Sequence, residues 1–356
     1  MRLSAIAMIA GLGVIASSGL AAAGDWFPYK VDVWQPPFEK GAAKSQRDYT
    51  ALDKASAPHE ICVSFPHMKD AYWLAVDYGV TEEAKRLGVK LQVVEAGGYT
   101  ELNKQISQIE DCVSSGAKAV VIGAISYDGL NNLIAELKAK KIVVVDMING
   151  VSSKQVDAKA LASWADVGET IGGYLAKKHP AGSAKVKVAW FPGPAGAGFA
   201  ESANLGFKKA LEGTAVEIVD TRYGDTGKEV QSKLVADALQ AHPDLDYVAG
   251  SAVAAEAAVP IIRAAGVADR VKVLAYYYTP GVDQGIRRGQ ILAAPTDSTV
   301  VQGRIAIDQA VRILEGKDYV KHVAPSIFVI EKETLPGVTM SAVLAPNDFR
   351  PVFEVK

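Results

Sequence analysis

From Ile61 onward the chain alternates continuous apolar runs with amphipathic stretches of helical spacing, joined by connections of a few residues. ICVSF, KLQVVEA, AVVIGAI and IVVVDMI read as strands, because short unbroken apolar runs suit strands covered on both faces. Between them, YWLAVDYGVTEEAKRLG, TELNKQISQIEDCVSSG and GLNNLIAELKAKK read as helices. Gly88 stops the first, and Leu102, Ile106, Ile109 and Val113 share one face of the second. The pattern then restarts. VKVAWFPG, AVEIVDTRYGD, DYVAGSA, VKVLAYYYT and ILAAPTD alternate with the helices AESANLGFKKALEG, GKEVQSKLVADALQAH, AAEAAVPIIRAAG and GVDQGIRRG. A longer helix from about Val300 to Glu315 and a β segment, SIFVIEK, complete it. Such alternation demands a parallel sheet flanked by helices, with right-handed crossovers. The expected fold is therefore α/β, with two similar doubly wound lobes. The last long helix has no partner strand in the second series and is expected to return to the first lobe.

The ends bound the compartment. Arg2 precedes an apolar run from Leu3 to Leu20, and Ala21, Ala22 and Ala23 offer a small-residue cleavage site before Gly24. Residues 1–23 thus read as a secretory signal peptide, and the mature chain as exported. Removing Arg2 takes the net charge from -2 to -3, which leaves no electrostatic footprint for nucleic acid. The mature length predicts two domains. Residues 24–58 break the pattern: they are rich in Pro, Lys and Asp, and hold Trp26, Tyr29, Trp34 and Phe38. This arm is either a flexible leader to the body or a packed segment that delivers an aromatic ring to a site.

Cys62 and Cys112 are the two cysteines, in a chain expected in an oxidising compartment. They read as a disulfide or as two buried free thiols. His59, His67, His179, His242 and His322 are scattered and form no HExxH pattern, so no metal site is expected. GPAGAG, at Gly193 to Gly198, spaces its glycines wrongly for a dinucleotide loop. No P-loop or GxSxG elbow occurs. Asp70, Asp166 and Asp297 stand at strand ends, where helix capping or ligand hydrogen bonding suits them better than acid–base work. No catalytic residues and no cofactor are expected.

Ligands in open parallel sheets bind beyond the carboxyl ends of the strands. The residues there include Pro66 to Trp73, Ala96 to Tyr99, Ser126-Tyr127, Asn149, Ser163 to Asp166, Ser251, Tyr276 to Tyr278 and Thr296-Asp297. Aromatic residues are only 8% of the chain, yet they crowd these loops. Ring faces attract cations, quaternary ammonium groups above all. A sugar or carboxylate site would instead need Asp, Asn and Arg around its polar groups.

KDAYW after a strand, RLGV at a helix end, EAGGY, QISQIEDCVSSGAKAVVIG and VVVD together resemble type I periplasmic binding proteins, over nearly the whole mature chain. PHMKDAYWLAVDYG, VVEAGGYTEL, VAGSAVAAEAA and FRPVF are similar to a narrower branch, whose members bind trimethylamine N-oxide and signal through a membrane sensor histidine kinase. The resemblance implies an aromatic cage of Tyr72, Trp164 and Tyr277, completed by Trp34 from the arm, with Trp26 as the second choice. Tyr72 and Tyr277 would offer hydroxyl donors, and Asp297 and Asp166 are lesser candidates. It also implies a 2-1-3 strand order that carries Cys112 over Cys62. The lobes would be 59–163 plus 293–324 and 164–292 plus 325–356, with crossings near Ser163, Ala293-Ala294 and Ala324. The partners implied are a small ligand and the kinase's periplasmic domain. A transporter-linked solute-binding protein for a sugar or another amine shares this fold and leader.

Overall fold

The computed structural model describes residues 26–39 and 41–356; the leader expected over 1–23 lies outside the described residues. The arm is an element of the sheet. β1 (Tyr29–Gln35) and β2 (Ala43–Tyr49) pair antiparallel along their whole length, from Tyr29 opposite Tyr49 to Gln35 opposite Ala43. Val31 and Val33 are buried, whereas β2 is exposed except at Tyr49. Sequence reading found no period here because the polar edge strand masks the half-buried one.

The first βα series follows as β3 (Glu60–Phe65), α1 (Ala71–Leu87), β4 (Lys90–Glu95), α2 (Leu102–Ser114), β5 (Ala119–Ile122), α3 (Asn131–Ala139), β6 (Val143–Met147) and β7 (Ala158–Ala160). Asp70 starts α1 by accepting the Trp73 amide, and Gly88 ends it in the left-handed conformation that a Cβ disfavours. Strands β5 and β6 are buried throughout, as two-faced cover requires. The second series runs α4 (Trp164–Lys178), β8 (Val186–Gly193), α5 (Gly198–Leu211), β9 (Val216–Tyr223), α6 (Lys228–Ala241), β10 (Tyr247–Gly250), α7 (Ala252–Ala264), β11 (Lys272–Ala275) and α8 (Pro280–Arg287). The chain then passes through β12 (Ala293–Thr296), α9 (Thr299–Leu314), β13 (His322–Pro325), β14 (Phe328–Glu331) and β15 (Glu354–Val355).

These strands form a nine-stranded sheet ordered β15-β4-β3-β5-β6-β7-β13-β1-β2, a four-stranded sheet β11-β10-β8-β9, and a small pair β12-β14. Each lobe is α/β with a parallel centre. In the order β4-β3-β5, α2 crosses over β3, and Cys62 and Cys112 are joined there as a disulfide. As expected, the long helix α9 returns to the first lobe, against α1, β5 and β6. The fit is close: a Cβ on Gly79 of α1 would lie 2.2 Å from the Val300 carbonyl oxygen, so only glycine lets the two backbones meet.

Three lobe boundaries shift from the sequence reading. β12 belongs to the second lobe, since it pairs with β14 and the Leu292 amide donates to the Val273 carbonyl beside β11. The second crossing therefore falls at Asp297-Ser298, and the third at Ser326-Ile327 between β13 and β14. The C-terminal tail, expected with the second lobe, packs on the first. β15 pairs with β4, the Val352 amide donates to Asp77, and Phe349 lies edge-on to Tyr78. A two-residue strand after a stretch without periodicity carries too little pattern to reveal its partner.

Candidate functional site

The carboxyl ends of both sheets face one another, and nine residues enclose a cavity between them: Asp70, Tyr72, Trp73, Tyr99, Asn149, Trp164, Phe199, Thr226 and Tyr277. The first five come from the first lobe and the other four from the second. Local structure aims each one. Tyr72 and Trp73 occupy the first turn of α1. Tyr99 follows β4 after Gly97, whose φ of 101° turns the loop. Trp164 opens α4 behind its cap Ser163, and Phe199 opens α5. Tyr277 lies between β11 and the Thr279 cap of α8.

Rings dominate the walls. Tyr72 meets Tyr277 at 5.1 Å and 72°, and Trp164 at 6.0 Å. Trp164 in turn meets Tyr277 at 6.3 Å and Phe199 at 5.6 Å, and Tyr99 meets Phe199 at 5.3 Å. The enclosed space is small, about 10 Å³ as swept by the centre of a water-sized sphere. A void of that size holds about one water molecule.

Hydrogen bonds sort the polar groups by what they have left to offer. The Tyr72 hydroxyl donates to Asp297 Oδ2 at 2.6 Å, and the Trp164 indole N–H donates to the Ile148 carbonyl at 2.5 Å. Neither proton is free for a ligand. Tyr99 is the reverse case. Its oxygen accepts from Asn149 Nδ2 at 3.0 Å and from the Trp73 side chain. Its own proton has no acceptor among the described residues, and Tyr99 lines the cavity. The Tyr277 hydroxyl has no hydrogen-bond partner among the described residues. Burial pushes the Tyr72, Tyr99 and Tyr277 phenols far above their ordinary value, so all three keep their protons. Burial, reinforced by Glu256 and Asp225, raises the Asp70 carboxyl to about 6, against the pull of the Trp73 amide.

The residues predicted from sequence divide. Tyr72, Trp164 and Tyr277 are brought together at the cavity. Asp297 stands one shell behind, held by Tyr72, by Thr299 and by Gln302. Trp34, Trp26 and Asp166 are elsewhere. Trp34 stacks on His322 at 4.2 Å and 10°, with the Lys44 ammonium 5.5 Å from its ring centre, and packs in one cluster with Ala162 and Ala324. Trp26 donates its indole N–H to Glu83 and stacks on Tyr49. Trp34 lies on β1 and Trp26 just before it, and neither lines the cavity. Asp166, in the first turn of α4, pairs with Lys44 at 2.6 Å and does not line the cavity. Trp73, Tyr99 and Asn149 stood among the strand-end residues without being singled out, and Asp70, weighed as a strand-end carboxylate, both caps α1 and lines the cavity. Phe199 directly follows the discarded GPAGAG stretch and Thr226 carried no signal; only their position after a strand could have marked them.

Two lobes closing on an aromatic cavity define a binding protein for a small ligand. The chain belongs to the periplasmic binding protein domain family, whose profile matches residues 61–318. Members of this family are binding proteins. A solved ABC transporter solute-binding protein from Bradyrhizobium sp. BTAi1, with bound Bis-Tris, is 60% identical at a TM-score of 0.82, covering 93% of this chain and 100% of that one. The periplasmic protein TorT of Escherichia coli K12 is 35% identical over 84% of this chain and 86% of its own length. A complex of TorT with the TorS sensor domain, in the presence of trimethylamine N-oxide, aligns at a TM-score of 0.75 and 34% identity, over 83% of this chain and 99% of that one. Among the described residues no helix is long and apolar enough to cross a membrane, and no cluster of His, Cys, Asp and Glu is placed to hold a metal ion.

Proposed function

We propose that this protein is a periplasmic sensor, exported by a cleaved leader over residues 1–23, that encloses trimethylamine N-oxide and reports to the periplasmic domain of a TorS-type membrane sensor histidine kinase. The observation that carries this is the Tyr99 hydroxyl, saturated as an acceptor and free as a donor, opening on a cavity walled by Tyr72, Trp164 and Tyr277. The ligand has a trimethylated cationic nitrogen and one strongly accepting oxygen. Ring faces take the methyl groups, and a phenol takes the oxygen. Asp70, at the same wall, supplies counter-charge for the nitrogen.

Ligand held between lobes stabilises the closed form by its differential affinity for the two states, and a kinase domain contacting both lobes reads that closure. Chain crossings at 161–163, 297–298 and 326–327 give the hinge. No catalytic residue or cofactor is assigned to this cavity. Calorimetric titration tests the reading with trimethylamine N-oxide, tetramethylammonium, its neutral isostere tert-butanol, and ribose. Saturable heat with the N-oxide is expected; binding of ribose with none for the N-oxide would discard it.

A second reading, a transporter-linked solute-binding protein for another small amine or a sugar, is favoured by one observation. The Bradyrhizobium relative is described as an ABC transporter component, and its bound Bis-Tris is a tertiary amine. Genes for a permease and an ATPase beside this one, in place of a kinase and a reductase, would select it.

A further inference from the structure

Behind the cavity runs a chain of buried hydrogen bonds whose members touch two of the three hinge crossings. Tyr72, on α1, presents its ring to the ligand space and donates its hydroxyl to Asp297 Oδ2 at 2.6 Å. Asp297 is itself the second crossing. Gln302, one turn into α9, donates Nε2 to the same Asp297 oxygen at 2.6 Å, and its Oε1 accepts the amide of Ala162 at 2.8 Å. Ala162 lies in the first crossing. Thr299 fills the remaining Asp297 oxygen at 2.9 Å. Tyr72, Ala162, Asp297, Thr299 and Gln302 are all buried.

The donors and acceptors leave little slack. Gln302 uses both ends of its amide, and Asp297 accepts on both oxygens, so no member can turn without leaving another unpaired in a region water does not reach. The α1 and α9 helices that carry Tyr72 and Gln302 are locked together, Gly79 against Val300 and Gly303 against Val76. Motion at the Tyr72 ring therefore passes to the crossings and not into slippage between the helices.

We propose that Gln302 is a positioning residue that couples the ligand cavity to the hinge, joining Tyr72 through Asp297 to the Ala162 amide. It touches no ligand. Pressure on the Tyr72 ring is felt at two crossings at once, which ties cavity occupancy to lobe angle. The inference takes the identity of the ligand from the reading above, but the bonds exist without ligand and are tested without it.

The experiment follows hydrogen exchange at the Ala162 amide in ligand-free full-length protein, with the Val248 amide in β10 as the control for global stability. Tyr72→Phe removes a hydroxyl that does not touch Ala162. Coupling predicts Ala162 exchange faster by about tenfold, with Val248 unchanged. Gln302→Leu is expected to raise Ala162 exchange further and to abolish the effect of Tyr72→Phe. Gln302→Glu, which keeps an acceptor for Ala162 but sets a carboxylate against Asp297, guards against a misfolded leucine variant. In that background Ala162 stays protected and Tyr72→Phe loses its influence. Unchanged Ala162 exchange in Tyr72→Phe, or an undiminished effect of Tyr72→Phe in the Gln302→Glu background, overturns the proposal. Failure of the protein to bind trimethylamine N-oxide would instead sink the ligand reading and leave these bonds to be judged on their own result.

Discussion

Asn149 donates its side-chain amide to the Tyr99 hydroxyl at 3.0 Å, so the phenol oxygen is engaged as an acceptor while its own proton stays available to donate. Tyr99 lines the cavity, where that proton can meet a ligand oxygen. Tyr99→Phe is therefore expected to weaken trimethylamine N-oxide binding by about 1.5–3 kcal/mol, the range for a hydrogen bond to a charged group. Tetramethylammonium, which has no oxygen, should lose little. Titration of both ligands against the variant checks this, and equal losses would contradict the assignment. Tyr72→Phe, whose hydroxyl is already given to Asp297, should discriminate far less between the two ligands.

Tyr277 tests the other half of the recognition. Tyr277→Leu keeps apolar bulk and removes the ring face. It is expected to cost about 1–2 kcal/mol for a methylated ammonium and much less for neutral tert-butanol, because only the cation feels the ring quadrupole. A parallel loss for both probes in the titration would show shape, and not charge, as the basis of selection.

Cavity chemistry was more legible in the sequence than cavity membership. Strand-end position marked a crowd of aromatic residues, and the family resemblance picked Tyr72, Trp164 and Tyr277 out of it. The arm misled because a tryptophan in a stretch without periodicity gives no sign of which face it serves. Trp34 looked free for a ligand, yet its strand pairs with β13 at the hinge, and that pairing joins residues nearly three hundred positions apart. No local signal encodes such a register. The 2-1-3 order came from the family resemblance, whereas the two α/β series were legible because each βα unit carries its own hydrophobic period. The tail and the exact crossings were not, since a short strand takes its partner from tertiary packing.

The Asp70 carboxyl makes binding depend on pH. In the free protein burial holds it near about 6, with Glu256 on α7 and Asp225 after β9 adding like charge, and Lys69 engaged by Asp225 at 3.6 Å. A folded value raised above the unfolded one means that Asp70 stabilises the fold at low pH. That contribution falls away as pH rises through about 6, the reverse of an ion-paired carboxylate. A bound cation favours the ionised form. Tetramethylammonium affinity should therefore rise about tenfold between about pH 5 and pH 7 and then level off. Asp70→Asn should flatten the profile; a wild-type profile already flat would remove Asp70 from the site.

Trp34 offers a test of placement by absence of effect on binding. Its ring is 7% exposed, stacked on His322 and resting on Ala162 and Ala324. Trp34→Ala should cost about 3–5 kcal/mol of stability, as for other buried tryptophans. Ligand affinity should stay within about twofold of wild type, since a change of about 0.4 kcal/mol is all that twofold represents. Thermal melts and titrations on the same preparation separate the two. A collapse of affinity with stability intact would return Trp34 to the cage.

The disulfide closes a loop of 50 residues between β3 and α2, the strand and helix that carry the first lobe's centre. Loop-closure entropy alone gives such a cross-link about 4 kcal/mol, by restricting the unfolded chain. The bond lies in the hydrophobic layer with Ile109, Val120 and Ile134, away from the cavity rings. Its loss should therefore act on folding and leave the shape of the closed site alone. Paired replacement by alanine keeps that layer apolar, and is expected to lower the melting temperature by roughly 10 °C, taking about 2–4 °C per kcal/mol for a domain of this size. The melt of the native protein should fall by a similar amount in reductant, while the double variant ignores reductant entirely. Mass measurement of the exported protein should find no free thiol before reduction. Two alkylatable thiols there, with a melt indifferent to reductant, would show that the cross-link does not form in the cell.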